Sequence, residues 1–192
     1  MIQRILILFG FVFFILPGVA SAQTQTICDN APFPAGYVIV ERYQSPECIG
    51  LPGTGQRHTL KVQIPSSPIN ICSESPFPVG FVITNMLTTS SCWNVNNTNS
   101  LATYTVKYPV SPGEICTASP IPVGYVITSV INSNNCFNPS GGSALAAYNI
   151  KIPEAQENVC GFSPIPNGYS ITATFETGNC PPSNRGITIR RN

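Results

Sequence analysis

The chain has 192 residues but only nine Lys and Arg, eight Asp and Glu and one His. So few acid, base and metal-binding side chains disfavour a hydrolytic enzyme. Without its first 22 residues the chain keeps eight cations and eight anions, which leaves no basic surface for nucleic acid.

The N-terminus begins Met1-Ile2-Gln3-Arg4, continues as an apolar run from Ile5 to Leu16, breaks at Pro17-Gly18 and reaches the small residues Ala20-Ser21-Ala22. A positive start, an apolar middle and an A-x-A site are the layout of a secretory signal peptide. Residues 1–22 are therefore expected to be removed, and the mature chain to begin at Gln23. No Cys follows the cleavage site, so no bacterial lipid anchor is indicated, and no later apolar stretch is long enough to span a bilayer. The expected product is secreted or periplasmic, with no membrane insertion after cleavage.

Eight cysteines organise the remainder. Cys28, Cys72, Cys116 and Cys160 recur every 44 residues, and Cys48, Cys92, Cys136 and Cys180 each follow 20 residues later. An even count in an exported chain reads as disulfides. Two pairings respect the translation: each Cys with the one 20 residues on, or Cys48 with Cys72 and onward, which strands Cys28 and Cys180. The first leaves no thiol free and is preferred. Close Cys or His pairs, as a zinc site requires, do not occur, so neither a metal nor a cofactor is expected.

The cysteines frame an internal repeat. Residues 28–40 (CDNAPFPAGYVIV), 72–84 (CSESPFPVGFVIT), 116–128 (CTASPIPVGYVIT) and 160–172 (CGFSPIPNGYSIT) share one register. Counted by the cysteine period, the units are 23–70, 71–114, 115–158 and 159–192. In each, Pro-x-Pro-x-Gly predicts an extended segment and a tight turn, with Asn167-Gly168 the clearest turn pair. A strand follows, with Tyr37, Ile39 and Tyr43 on one face and Val38, Val40 and Arg42 on the other. Phe81, Ile83 and Leu87, then Tyr125, Ile127 and Ile131, then Tyr169, Ile171 and Phe175 repeat the first set, so one aromatic-led face is expected to be buried. A second strand carries Leu60, Val62 and Ile64 and stops at Pro65; its counterparts stop at Pro109 and Pro153.

Polar loops of variable sequence separate the two strands, for example Asn94 to Ser100 and Asn138 to Ser143. The fourth copy shortens its loop to Pro181-Pro182-Ser183-Asn184 and offers Ile187 and Ile189 as a final strand, as a terminal cap would. The predicted fold is all-β: a tandem array of four small, disulfide-pinned β-hairpin modules. Units of this size sit near the limit at which a core alone holds a domain, and a disulfide closing about 20 residues is worth roughly 3 kcal/mol by chain entropy. Short linkers with proline, such as Ser66 to Asn70, keep neighbours close.

Few residues suggest chemistry. His58 has Ala102 and Ala146 at the equivalent positions, and the only Asp, Asp29, lies in a loop beside Cys28. With no orienting or nucleophilic partner to identify, His58 is expected to be an exposed strand-end residue. Leu51-Pro52-Gly53-Thr54-Gly55 fits the L-P-x-T-G sortase pattern, but it lies in the first variable loop, far from an apolar C-terminal segment, and reads as a Gly-Pro loop. Asn96-Asn97-Thr98 has the form of a glycosylation acceptor. Trp93 and Phe137 follow the second cysteines at the start of loops; with Asn94 they are the candidate binding residues, able to stack on a sugar or a protein surface. The competing role for Trp93 is to cover its neighbouring disulfide.

The reading is a non-enzymatic repeat protein that presents module surfaces to a cell-surface, glycan, matrix or protein partner. The alternatives are an envelope protein that self-associates through strand edges and a small exported inhibitor or toxin acting through one loop.

Overall fold

The computed structural model describes residues 23–48, 58–93, 100–137 and 144–192; the leader, Asn94 and the Leu51–Gly55 and Asn96–Thr98 motifs lie outside them. The described chain is a succession of strands with one short 3-10 turn at Pro46–Cys48. The strands are β1 (Thr24–Cys28), β2 (Val38–Gln44), β3 (His58–Gln63), β4 (Ile69–Cys72), β5 (Val82–Trp93), β6 (Ser100–Lys107), β7 (Gly113–Cys116), β8 (Val126–Phe137), β9 (Ala144–Lys151), β10 (Gln156–Cys160), β11 (Tyr169–Glu176) and β12 (Arg185–Arg191).

They form four copies of one unit. Each expected hairpin is present, β2 with β3, β5 with β6, β8 with β9 and β11 with β12, all antiparallel. A short strand ending at the first cysteine pairs on the far side of each hairpin: β1 with β3, β4 with β6, β7 with β9, β10 with β12. Each unit is thus a three-stranded sheet with its last strand in the middle. The period-based divisions at 70/71, 114/115 and 158/159 fall inside β4, β7 and β10, and strand pairing groups residues 24–63, 69–107, 113–151 and 156–191 as units 1 to 4. All four disulfides join cysteines 20 residues apart, Cys28–Cys48, Cys72–Cys92, Cys116–Cys136 and Cys160–Cys180. The described residues contain no free cysteine.

The turn before each hairpin follows from Pro-x-Pro-x-Gly. The Tyr37, Phe81, Tyr125 and Tyr169 amides donate to the carbonyls of Pro34, Pro78, Pro122 and Pro166. The glycine third in each turn has φ between +80° and +85°, the type II geometry that glycine adopts without a side-chain penalty.

The expected single buried face is only partly right. Ile39, Ile83 and Ile127 are buried, yet so are Val38, Val82 and Val126 on the opposite face. Beyond them a bulge shifts the register, between Ile39 and Glu41, Ile83 and Asn85, and Ile127 and Ser129. One extra residue reverses the alternation. Met86 consequently turns inward and Leu87 outward, with Ile131 and Phe175 exposed as well.

The valines are buried because neighbouring units complete one another's cores. Val38 of unit 1 joins Ile69, Ile71, Phe81, Ile83 and Val106 of unit 2, and the Cys116–Cys136 bridge of unit 3 closes the same cluster. Val82 enters the core of unit 3, which Cys160 and Cys180 cover; Val126 enters that of unit 4. Ile39, Leu60 and Val62 of unit 1 lie under Cys72 and Cys92. Single parallel bridges, Arg42 to Cys92 and Met86 to Cys136, extend the sheet through units 1 to 3. An Arg42–Glu74 ion pair joins units 1 and 2, and at the other end the Val130 amide donates to the Asn179 carbonyl at 2.8 Å and Lys151 meets Glu157 at 2.7 Å. The array is one body with a shared core, as stacked repeats are when a unit cannot bury its own apolar face.

Candidate functional site

β5 and β8 are twelve residues each, longer than any other strand described. Their outer ends carry the candidate residues. Beyond the first bulge the hairpin pairing is regular from Asn85↔Thr105 to Thr88↔Ala102 in unit 2 and from Ser129↔Asn149 to Asn132↔Ala146 in unit 3, then jumps to Trp93↔Ser100 and Phe137↔Ala144. The four residues looped out on the longer strand, 89–92 and 133–136, bring Cys92 and Cys136 against the preceding unit. Trp93 and Phe137 therefore stand at equivalent register positions, each the last strand residue before its loop. β5 and β8 are parallel neighbours through a Met86↔Cys136 bridge, so the two strands run in the same direction to Trp93 and Phe137. Asn94 lies just beyond, outside the described residues.

Both cysteines of the Cys72–Cys92 disulfide are buried against Ile39, Leu60 and Val62 of unit 1.

A second feature was not legible from the sequence. Between units 3 and 4 a groove of about 590 Å³ is lined by Tyr148, Phe162, Pro181, Pro182 and Arg185 together with Val130 and Ala146. The Tyr148 and Phe162 ring centroids are 6.0 Å apart. Flat rings and one guanidinium suit stacking on a sugar or peptide face. Phe162 takes the place of Glu74 and Ala118 in units 2 and 3, a departure from the repeat that was the only available signal. The turns before the hairpins form an apolar row: Val79 and Val123 are fully exposed, and Phe33, Phe77 and Ile165 partly so.

His58 is not the exposed residue expected. Only 3% of its surface is accessible, because Thr59 and Leu60 draw the start of β3 into the core of unit 1. Its carbonyl accepts the Asp29 amide at 2.9 Å, and its Nδ1 has no hydrogen-bond partner among the described residues. Burial, and then the nearby Arg42, lower its pKa below the ordinary 6.5, against opposing pulls from Asp29 and Glu74. Burial thus favours the neutral ring over the charged one.

Four disulfides suit an oxidising extracellular or periplasmic compartment. Among the described residues no helix is long and apolar enough to cross a membrane. No family model, no characterised protein and no solved structure matches the chain.

Proposed function

We propose that this is a secreted, non-enzymatic binding protein that presents the loops following Trp93 and Phe137 to a glycan, matrix or cell-surface partner. The observation that supports the reading is the strand pairing: β5 and β8, of equal length and in adjacent units of one body, run parallel and each ends at the aromatic residue that precedes a loop of variable sequence. Linked sites on one scaffold raise one another's effective concentration, so individually weak contacts suffice. The leader pattern and the disulfides together support export. The scarcity of titratable side chains supports a non-enzymatic role.

The reading is tested by Trp93→Ala, measured against a partner identified by a binding screen. A stacking contact is worth on the order of 1 kcal/mol, so affinity should fall about fivefold while thermal stability holds. A marked loss of stability with affinity unchanged would return Trp93 to a core role and remove the main support for loop binding. A second reading, self-association, is favoured by the exposed apolar row at Val79 and Val123. Concentration-dependent assemblies disrupted by Val123→Asp would support it.

A further inference from the structure

Three joints connect the four units, and all are made the same way. The Ile39 amide donates to Ser75 Oγ at 2.8 Å, that of Ile83 to Ser119 Oγ at 2.9 Å, and that of Ile127 to Ser163 Oγ at 2.8 Å. Beside each hydrogen bond, Val38, Val82 or Val126 passes from the earlier unit into the core of the later one. The joint thus has a valine and an amide on its outgoing face, and a serine and an apolar receiving core on its incoming face.

The incoming face of unit 1 and the outgoing face of unit 4 carry other residues at two of these positions. Unit 1 has Ala31 where units 2 to 4 have the serine, and unit 4 has Ser170 where units 1 to 3 have the valine. Ser170 is exposed, and its hydroxyl bonds to Asn192 Oδ1 at 2.7 Å. Ile171, the counterpart of Ile127, is 52% accessible where Ile127 is 2%. If unit 4 of one copy met unit 1 of another in the manner of the internal joints, the Ser170 hydroxyl would enter the apolar core at Ile27, Leu60 and Val62. The Ile171 amide would at the same time face the Ala31 methyl, which cannot accept its proton. A polar group buried without a partner disfavours a contact more than a missing attraction does. Specificity against a near-identical surface is commonly built in this way.

We propose that Ala31 and Ser170 make the two terminal faces incompatible, and so prevent a second copy of this chain from docking head to tail. The internal joints supply both the geometry of the excluded contact and the two residues that would permit it.

The test is sedimentation of the full chain, expressed with its own leader and recovered oxidised, as native protein and as A31S, S170V and the A31S/S170V double variant. The native chain and each single variant alone should remain monomeric. An equimolar mixture of A31S and S170V should form a 1:1 dimer, because only one restored valine end can meet one restored serine end. The double variant carries both ends and should form longer, concentration-dependent chains. Native protein that already associates through these faces would overturn the proposal. So would a mixture that stays monomeric while both single variants unfold at the native temperature. The single variants keep the proposal testable if the double variant fails to fold.

Discussion

Ser163→Ala removes the oxygen that ties unit 3 to unit 4. In the native structure the Ile127 amide donates to Ser163 Oγ at 2.8 Å, and the hydroxyl in turn donates to the Pro164 carbonyl at 3.2 Å. Proline at 164 favours an extended Ser163, which suits this bridging position. Alanine leaves an almost unchanged volume, so the cost is dominated by the stranded N–H. Ser163 is 7% and Ile127 2% accessible, leaving little room for water to replace the hydroxyl. The loss should therefore be about 1–3 kcal/mol, the cost of an unsatisfied buried donor. Ser75→Ala removes the same bond at the first joint, where the serine is only partly buried and water can substitute; it should cost less. Ser170→Ala, at an exposed position, should stay within about 0.5 kcal/mol. Equilibrium urea unfolding of the oxidised proteins at constant slope reads all three. A Ser163→Ala loss below about 0.5 kcal/mol, or a larger loss at Ser75 than at Ser163, would refute the assignment of the joint's strength to this hydrogen bond.

Other outcomes follow from the same structure. Gly80→Ala should cost about 1–2 kcal/mol in thermal unfolding purely through its φ of +83°, since an added Cβ meets nothing within 4 Å; a neutral substitution would show that the turn relaxes. Replacing Cys72 and Cys92 together with Ala should speed hydrogen exchange at Leu60 and Val62 of unit 1 as well as in unit 2, because the bridge covers that core; an effect confined to unit 2 would contradict the shared core. His58 has a lowered pKa in the folded chain, so the unfolded chain takes up its proton first as pH falls. Its contribution to stability is fully present above about 6.5 and declines below it. His58→Ala, the residue of units 2 and 3 at this position, should flatten that part of the pH–stability curve; an unchanged slope would exclude His58 as its source.

Much of the unit was legible because it is local. The 44-residue period, the 20-residue disulfide spacing, the Pro-x-Pro-x-Gly turn and the two hairpin strands each follow from neighbours in the chain. The strand entering each first cysteine was missed because segments such as Ile69–Cys72 are four residues long and follow a proline-containing linker, too short to show a period. Alternation through Tyr37, Ile39 and Tyr43 failed beyond Ile39, since a bulge leaves no mark in hydrophobicity. The roles of Val82 and Ser119 were hidden for a different reason: each acts on the next unit, and only the joint explains why both are kept. Ala31 and Ser170 were visible as departures from the repeat but had no meaning until the joint was known. His58 was misjudged because its burial comes from Thr59 and Leu60 drawing β3 inward. Of the candidate site, the sequence order of Trp93 and Phe137 was plain, whereas their equivalent register positions at the ends of β5 and β8 required the strand pairing.

Binding is the claim on which the functional account stands. The most direct measurement is a glycan and matrix-protein array probed with the oxidised full chain, with the reduced chain alongside as control. The account predicts retention by a defined class of glycan or matrix component, lost on reduction because the four bridges that pin the units are removed. Absence of any retained component, with the oxidised chain instead forming concentration-dependent assemblies, would contradict it.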